Sequence, residues 1–382
     1  MKFFSIVCFA GGDWWYHHPH SYNHLMAEFS KEKKVLYVNS LPVGIGVGGG
    51  KKGFFRKVKN KLFSVLRFLK KENKNLYIFT PFFIPFKENS IILNINTILL
   101  LFQIKLIEKI FKFEDPLYWI TNPNGYIFVR GIKSKRIVYQ IVDKVQEYKY
   151  AGSLVRNFDK NLCERASLIL TPGKMIYEEK RKDYGEKVYR LKHGVDIKHF
   201  SKKVGTIPKD FPKVDKPVFT YWGSIDYKKV DYKLLKFLDE KAKEFVFLFI
   251  GKIFDFKYED FKDSKNIFFV GEKSYSQLPS YATFSYGFII PWDSEDLMNR
   301  HASPIKLREY LATGKPVVTT YIPEFDEFKD VVYISKDYGE FYDNLKRSLL
   351  DDYSKKEERK NKIFKDGWEN VYKEVNSIIG NI

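Results

Sequence analysis

A lysine and a glutamate three positions apart, Lys306 and Glu309, have the types and spacing best suited to ligand chemistry in this chain. The surrounding residues 303–318 predict a helix that starts near Pro304, ends at a Gly314 cap and leads into a β-branched strand. Residues three apart share a helix face, and the N-terminal end of a helix favours phosphate. We therefore expect Lys306 to bind phosphates and Glu309 to accept hydrogen bonds from sugar hydroxyls.

Two aspartates at the ends of apolar segments are candidate proton acceptors. Asp143 ends the apolar run 139–142, and Asp13 follows the pair Gly11 and Gly12. The carboxyl end of a strand in a parallel sheet faces the ligand edge, where a carboxylate can take a proton from a hydroxyl. Asp143 is the first candidate for this role and Asp13 competes with it. The alternative for either residue is the capping of a helix.

Five histidines are the remaining candidates for ligand contacts. His20 and His24 are four residues apart, a spacing that places two metal ligands on one helix face. Because neither cysteine nor an acidic third ligand accompanies them, the sequence predicts no metal site. We expect His18 and His20 to line an acceptor-binding cleft together with Gly11 and Gly12, or simply to start the first helix. His193 and His301 are further candidates for the cleft.

Length and charge indicate a globular protein with two dissimilar halves. The chain has 382 residues, enough for two domains, and its two cysteines, Cys8 and Cys163, favour a reduced protein without disulfides. Residues 1–200 contain 35 Lys and Arg against 17 Asp and Glu, whereas residues 201–382 contain 31 against 30. A basic half beside a neutral half predicts that the first half meets an anionic surface.

Part of that charge lies in residues 51–71, which contain nine Lys and Arg and no acidic residue. Their apolar residues recur with helical spacing, which predicts a helix for the interface of an anionic membrane. The alternative is an ordinary surface helix, and no nucleic-acid-binding motif supports a third interpretation. The sequence has no run of eighteen apolar residues, so we expect no membrane-spanning helix. Polar residues interrupt the apolar stretch 91–113, which we interpret as a core helix.

Strand and helix patterns alternate along the whole chain. The pattern predicts an α/β fold with two Rossmann-like parallel-sheet domains. The Lys- and Pro-rich segment 201–217 is predicted to link them. The predicted first domain is residues 1–200, the second is residues 201–353, and residues 354–382 form a terminal helix. The predicted strands are 3–9, 35–39, 76–80, 117–121, 137–142, 168–171, 218–222, 246–250, 267–270, 287–291, 317–320 and 331–334.

Residues 303–318 resemble the donor-nucleotide motif of GT-B glycosyltransferases, most closely glycosyltransferase family 4 and its bacterial polysaccharide relatives. In that motif the carboxylate matching Glu309 holds the nucleotide ribose. Family 4 usually has a second glutamate eight residues earlier, where this chain has His301. The variant spacing Ser-x-x-Lys-x-x-Glu is similar to xanthan-type glucuronosyltransferases, in which an aspartate of the first domain is the base. The resemblance implies a GT-B fold whose two domains face a central cleft, with residues 354–382 returning to the first domain.

Other segments extend the resemblance. The turn after residues 218–222 resembles the glycine-rich turn of the donor domain, in which Gly223 permits close approach and a basic residue meets the diphosphate. Lys229 matches that basic residue best, Lys228 is the alternative, and solvent exposure is the other role open to both. Residues 192–196 resemble a turn that closes the first domain, with His193 in place of asparagine. The donor-binding residues implied are Gly223, Lys228, Lys229, Gly251, Glu272, His301, Ser303, Ile305, Lys306 and Glu309.

The resemblance implies a metal-independent glycosyltransferase that takes a sugar from a nucleotide-diphosphate sugar, with UDP as the expected carrier. The acceptor would be a lipid-linked or glycan molecule of bacterial cell-surface polysaccharide synthesis. No cofactor is expected beyond the donor, and the sequence contains no Asp-x-Asp motif. The expected location is cytoplasmic, peripheral on the inner face of the plasma membrane. Two other classes stay open at this point: a GT-B-like nucleotide-sugar epimerase and a non-catalytic membrane-bound scaffold.

Overall fold

A computed structural model describes residues 4–15, 19–41, 68–84, 89–143 and 152–380 of the chain. The strands and helices within these ranges are short, and most strands are completely buried. Burial on both faces is typical of parallel sheets covered by helices, and it explains why their sequences are continuous apolar runs.

The chain forms two compact units, and it passes between them more than once. The first unit consists of Met1–Pro172, Ile176–Lys192 and Trp368–Ile382. The second unit consists of Gly173–Met175 and His193–Gly367. The first unit therefore gives way to the second at residue 193, not at the expected residue 200. The predicted linker 201–217 and residues 354–367 both belong to the second unit.

The described part of the first unit contains one eight-stranded sheet in the order β3-β4-β2-β1-β5-β6-β7-β8. All of its pairs are parallel except β3–β4, which is antiparallel. The central strand β1 lies between β2 and β5, so the order of the strands reverses there. The strands are β1 Ile6–Phe9, β2 Val35–Val38, β3 Leu69–Lys71, β4 Leu76–Phe79, β5 Leu117–Ile120, β6 Ile137–Gln140, β7 Leu168–Thr171 and β8 Val188–Arg190.

Helices cover both faces of this sheet and bury two hydrophobic clusters against it. One cluster includes the last helix of the chain, which packs through Trp368 and Tyr372 close to Phe29. The helices are α1 Ser21–Phe29, α2 Ser90–Ile110, α3 Tyr126–Val129, α4 Ser153–Arg165, α5 Lys174–Tyr184 and, after the second unit, α13 Trp368–Ile379. The first two residues of α5 belong to the second unit.

The second unit contains a six-stranded sheet, entirely parallel in its described residues, in the order β11-β10-β9-β12-β13-β14. Counted along the chain, this is the order 3-2-1-4-5-6 of dinucleotide-binding domains. The strands are β9 Val218–Trp222, β10 Val246–Ile250, β11 Ile267–Phe269, β12 Gly287–Ile290, β13 Val317–Thr320 and β14 Tyr333–Ser335. The helices are α6 Ile197–Ser201, α7 Tyr232–Lys241, α8 Leu278–Phe284, α9 Leu297–Arg300, α10 Ile305–Thr313, α11 Tyr338–Ser348 and α12 Tyr353–Lys362.

The α/β prediction of two parallel-sheet domains is confirmed, and the elements differ from it mainly at their edges. Two short strands, β3 and β8, were not predicted. The predicted helix 51–71 is wrong at residues 69–71, which form β3, and residues 51–67 lie outside the described part of the chain. The single helix predicted after residue 354 is two helices, α12 and α13, separated by a 3₁₀ turn and the extended residue Gly367.

Helix α2 differs from what the sequence predicted. By length and composition it is the one helix in the described residues that could span a membrane, with 28% of its most apolar window buried. The expectation that no helix spans a membrane stays a prediction, because length and composition alone do not place α2 in a bilayer. The prediction of a core helix holds for one face only, because several of its large apolar side chains are exposed.

Candidate functional site

Three glycines follow the neighbouring strands β9, β10 and β11 and bring the ends of these strands together. Gly223, Gly251 and Gly271 have φ angles of +137°, +156° and +70°. The Gly251 N–H donates to the Gly271 carbonyl, and the Gly223 N–H donates to the Ile250 carbonyl, each at 2.9 Å. A Cβ on Gly251 would lie 1.8 Å from the Gly223 carbonyl oxygen. Only glycine fits at position 251, because the two backbones are in contact there.

Helix α10 begins and ends at the predicted places. Pro304 is its N-cap and Gly314 ends it with a φ of +77°, the left-handed cap that the sequence predicted. Ile305 is the first helical residue and is partly buried. Lys306 extends from the first turn over Gly223, so that a Cβ on that glycine would meet Nζ at 2.3 Å. The helix and the glycine turn therefore form one site.

Two aromatic rings hold the ammonium group of Lys306. Its Nζ donates to the Tyr221 hydroxyl at 3.0 Å and lies 4.2 Å from the centre of that ring. The Trp292 ring is 5.1 Å away, and its Nε1 donates to the same hydroxyl at 3.3 Å. Burial lowers the pKa of Lys306 to about 7, and the positive charge of Lys229 lowers it as well. An anion bound at this point would restore the lysine's positive charge.

Glu309 lies one turn further along the same face of α10 and is held by Trp222. The indole Nε1 of Trp222 donates to Glu309 Oε2 at 2.7 Å, while the Trp222 backbone N–H donates to the Tyr310 hydroxyl at 2.9 Å. Burial raises the pKa of Glu309 to about 7, against the opposite effects of the Trp222 hydrogen bond and the Lys306 charge. Glu309 can accept hydrogen bonds as a carboxylate, but its low hydration favours protonation below neutral pH.

Lys229 supplies a second cation next to Trp292. Its Nζ is 4.6 Å from the centre of the Trp292 ring. Lys229 is the lysine that the sequence favoured over Lys228. Asp226 Oδ1 fixes the turn by accepting from the backbone N–H groups of Lys228 and Lys229 at 3.0 and 3.1 Å. The buried amide of Asn299 donates to the carbonyl of Lys228 at 2.5 Å. This turn therefore places Lys229, and not Lys228, against the aromatic pair.

Ser303 and His301 precede α10, and both are buried. The Ser303 hydroxyl donates to Glu324 Oε1 at 2.6 Å, and the other oxygen of Glu324 accepts from the Lys174 backbone N–H at 3.0 Å. The Nδ1 atom of His301 is 2.7 Å from the Leu297 carbonyl oxygen. The Ser303 hydroxyl and the Nδ1 atom of His301 therefore help to position the loop that leads into α10.

An open crevice of about 590 Å³ adjoins the glycine turns beyond β10 and β11. Gly251 and Glu272 line it, as do Lys252, Tyr258 and Phe269. Crevices beyond the carboxyl ends of strands are where ligands bind in open α/β sheets. Gly251 and Glu272, both predicted from the sequence, therefore lie at one edge with Gly223 and α10.

In the first unit, Asp13 is buried and already bonded. Its Oδ1 atom accepts from both the backbone N–H and the hydroxyl of Ser40, at 3.0 and 2.7 Å. Asp143 is exposed after β6. Burial raises the pKa of the Tyr22 hydroxyl above its usual range, and the neighbouring Cys8, Asp143 and Asp13 raise it further. Both predicted acids thus lie near Tyr22 at the carboxyl edge of this sheet.

A small crevice of about 40 Å³ lies at the same edge, where the strand order reverses around β1. Gly11 lines it, together with the polar side chains of Asn39, Ser40, Asn122 and Asn124. The Gly11 N–H donates to the Thr121 hydroxyl at 3.0 Å, and the Gly12 carbonyl accepts from Tyr37 at 3.0 Å. This edge offers amide and hydroxyl groups, which suit hydrogen bonding to an uncharged hydroxyl-bearing ligand.

The histidines predicted for the acceptor region have different surroundings. The His20 ring stacks on the Tyr22 ring with 5.2 Å between their centres, whereas the His24 ring stacks on Trp368 at 4.7 Å. His193 is buried and belongs to the second unit. His18 lies outside the described residues. Among the residues that the structure describes, no three His, Cys, Asp or Glu side chains are grouped to hold a metal.

Comparison with solved structures identifies the architecture. Sucrose-phosphate synthase of Thermosynechococcus elongatus matches with a TM-score of 0.72 and 12% identity, over 100% of this chain and 99% of that one. HepE of Anabaena, solved with UDP, matches with a TM-score of 0.64 and 11% identity over 100% of both chains. WaaG, a lipopolysaccharide biosynthesis glycosyltransferase, matches with a TM-score of 0.60 and 11% identity, over 98% and 99%. The chain has the GT-B fold.

A curated protein of similar sequence also carries a glycosyltransferase name. TuaH of Bacillus subtilis (strain 168), which its name provisionally assigns to teichuronic acid biosynthesis as a glycosyltransferase, is 24% identical over 193 residues. That match covers 48% of each protein, so the chain spans about half the length of the curated relative it matches. No family model matches the chain.

Several residues of this GT-B site were missed by sequence reasoning. Tyr221, Trp222 and Trp292 shape the surroundings of Lys306 and Glu309, and Asn299 fixes the lysine turn. Tyr221 and Trp222 could have been noticed as the last residues of β9, next to Gly223. Trp292 and Asn299 are about 70 positions from the turn they contact, and no local pattern connects them to it.

Proposed function

We propose that this protein is a glycosyltransferase that takes a sugar from a nucleoside-diphosphate sugar. The observation that supports it is the arrangement of Lys306 and Glu309 on one helix face beside the Gly223 turn. Lys306 and Lys229 would bind the diphosphate with the nearby backbone N–H groups, and Glu309 would hold the ribose. The open crevice lined by Gly251 and Glu272 would accommodate the base.

UDP is the proposed carrier because HepE, which shares the fold, was solved with UDP. The names of TuaH and WaaG supply a second parallel, since both refer to the synthesis of cell-surface polymers. We propose a lipid-linked or glycan acceptor on the inner face of the plasma membrane. The excess of basic residues in the first 200 positions supports a peripheral membrane location, with residues 51–71 among those in contact.

In the proposed reaction an acceptor hydroxyl forms the new bond to the anomeric carbon while the bond from that carbon to the diphosphate breaks. The diphosphate leaves with the electron pair, and the lysines stabilise its charge without a metal. Asp143 would take the hydroxyl proton in an inverting transfer; in a retaining one it would orient the acceptor, and the leaving diphosphate would take the proton. Asp13 is the weaker candidate because its Oδ1 already accepts two hydrogen bonds from Ser40.

Calorimetric titration of the full chain with a panel of nucleotide sugars tests this function. We expect one nucleotide sugar to bind, and we expect its nucleoside diphosphate to be released as the sugar is transferred when membrane lipid extract is added. Glu309→Ala should weaken binding at least tenfold, because the ribose would lose a partly buried hydrogen-bond acceptor. Glu240→Ala is the matched control, since Glu240 is exposed on α7 in the same unit. Equal affinity of both variants would contradict the proposed site, and release from no donor would contradict catalysis.

A further inference from the structure

Helix α2 presents an apolar face to solvent along its whole length. Its other face is buried in the first unit, where the side-chain amide of Asn96 exchanges hydrogen bonds with the backbone of Ile84 at 2.9 and 2.8 Å. The exposed residues recur every three or four positions, and Ile98 and Phe102 are 67% and 66% exposed. The exposed apolar residues of the helix are Ile91, Ile95, Ile98, Phe102, Leu106 and Ile110.

Phe82 extends this face. Its backbone N–H donates to Gln103 Oε1 at 2.8 Å and its carbonyl accepts from Gln103 Nε2 at 3.0 Å, so the loop residue is fixed to the helix. The Phe82 side chain is 60% exposed. We call Phe82 and the six exposed helix residues the apolar ridge. Seven large apolar side chains on one continuous face exceed the scattered exposure normal for a soluble surface.

Lysines accompany the apolar ridge along α2, and the exposed acids Glu114 and Asp115, the second of which pairs with Arg136, come just after the helix. Lys105 and Lys109 lie on the exposed face of α2, and the exposed Lys112 follows the helix. The one acidic residue of α2, Glu108, is buried and pairs with Lys105 at 2.7 Å. The exposed face of α2 therefore carries apolar groups and lysines without an exposed carboxylate.

We propose that the apolar ridge docks on an anionic membrane, with α2 lying in the plane of the interface. A helix of 21 residues is about 30 Å long, and its apolar side chains would enter the boundary between headgroups and acyl chains. Lys109 and Lys112 would then contact lipid phosphates, while Lys105 stays paired with Glu108. The helix does not cross the bilayer, because Asn96, Thr97 and Glu108 on its opposite face are buried in the first unit. Opposite charge favours this partner over a second copy of the chain, whose ridge would carry the same lysines.

This inference extends the membrane part of the proposed function by naming a surface outside residues 51–71. It also gives the first unit a reason for its basic charge. A protein docked through α2 would meet an acceptor that is itself held in the membrane. Residues of the proposed nucleotide site belong to the second unit, so the two functions can be tested by separate measurements on the same preparation.

The test is co-sedimentation of the full chain with vesicles of phosphatidylglycerol and phosphatidylethanolamine, or of phosphatidylcholine alone. We expect binding to the anionic vesicles and at least tenfold weaker binding by the double variant Ile98→Ser with Phe102→Ser. The matched control is Leu350→Ser with Phe364→Ser, two side chains of the second unit that are 84% and 70% exposed. Unchanged midpoints of thermal unfolding show that the variants are folded.

Three outcomes would overturn the inference. The first is that the Ile98→Ser with Phe102→Ser variant, the ridge variant, binds anionic vesicles as tightly as the control variant. The second is that the wild-type chain binds phosphatidylcholine vesicles as tightly as anionic ones. The third is a dimer in light scattering that the ridge variant dissociates, which would assign the ridge to a second copy of the chain. Calorimetric titration of each variant with UDP distinguishes these results from failure of the nucleotide site, because the ridge variant should keep wild-type nucleotide affinity.

Discussion

Apart from the extra edge strands β3 and β8, the sheets of the two units share a strand order, but they differ in what lies at the carboxyl edge. In both, the first strand of the chain order is central, and later strands are added on either side of it. The edge of the second sheet holds Lys306 and Glu309 among aromatic rings. The edge of the first sheet holds amides, hydroxyls and the acids Asp13 and Asp143. One scaffold therefore presents two chemistries, because the ligand edge is built from loop residues that the sheet does not dictate.

The largest expected effect separates the two acids of the first unit. Asp143→Asn should lower kcat by about 10²–10⁴ if Asp143 takes the acceptor proton, while the affinity for the donor nucleotide stays unchanged. Sugar transfer and calorimetric titration measure the two quantities. Asp13→Asn is the comparison: it alters the hydrogen bonds to Ser40 and should lower the midpoint of thermal unfolding. Wild-type turnover of Asp143→Asn would remove the base from the mechanism.

The next effect compares the turns after the first strand of each sheet. Gly223→Ala should cost about 1–3 kcal/mol of the free energy of unfolding, because φ is +137° there. It should also weaken nucleotide binding at least tenfold, since the new Cβ displaces Lys306 Nζ. Gly11→Ala is the control, with a Cβ at an ordinary 3.5 Å from the Tyr22 hydroxyl. Urea unfolding measures the stability and calorimetry the nucleotide affinity. Equal losses of both quantities in the two variants would contradict this prediction.

A pH profile tests the charges of the second site. Lys306, with a pKa near 7, loses its proton as pH rises above 7, and Glu309 gains one as pH falls below 7. The diphosphate favours the charged lysine and the ribose favours the carboxylate, so nucleotide affinity should peak near pH 7 and fall severalfold by pH 9. Titrations in buffers of different ionisation enthalpy at pH 8 should show proton uptake on binding. Lys306→Arg keeps its charge at pH 9, so the variant's nucleotide affinity should fall less between pH 7 and 9. An unchanged fall in affinity would show that another group causes it.

The smallest effect compares two indole donors. Trp222→Phe removes the hydrogen bond to Glu309, whereas Trp119→Phe removes a bond of 2.9 Å to Gln140 in the buried first sheet. A hydrogen bond contributes about 1 kcal/mol, so Trp222→Phe should weaken nucleotide binding about fivefold. Trp119→Phe should lower stability by a similar free energy and leave nucleotide affinity alone. Calorimetry and urea unfolding on both variants give the result, and equal nucleotide affinities would show that Trp222 does not position Glu309.

Local signals in the sequence predicted helix α10 and the Gly223 turn of the second unit. Pro304 and Gly314 bracket α10 through backbone preferences that need no tertiary contact, and Gly223 is required by its own φ angle. Lys306 and Glu309 followed from helical spacing. The aromatic surroundings of Lys306 were not predictable, because Tyr221 and Trp292 meet only when β9 and β12 pair in the sheet.

Two errors concern the periphery of the first unit, and they have different physical causes. Strand β3 has partly or fully exposed side chains, so its sequence lacks the buried run that identifies a strand. Pairing with β4 overrides the helical spacing that continues through Leu69. The exposure of one face of α2 was missed for the opposite reason, because an apolar sequence does not reveal which of its faces the fold covers.

The passage of the chain between its units has a consequence for how such a protein can be divided. Helix α13 belongs to the first unit, although it follows the whole second unit in the sequence. Trp368 and Tyr372 complete the hydrophobic cluster around Phe29. A gene fragment that stopped after residue 192 would encode a first unit whose hydrophobic cluster lacks Trp368 and Tyr372. Recombination in evolution could therefore exchange the second unit as one segment between residues 192 and 368. It could not exchange the first unit as one N-terminal segment, because α13 would be left behind.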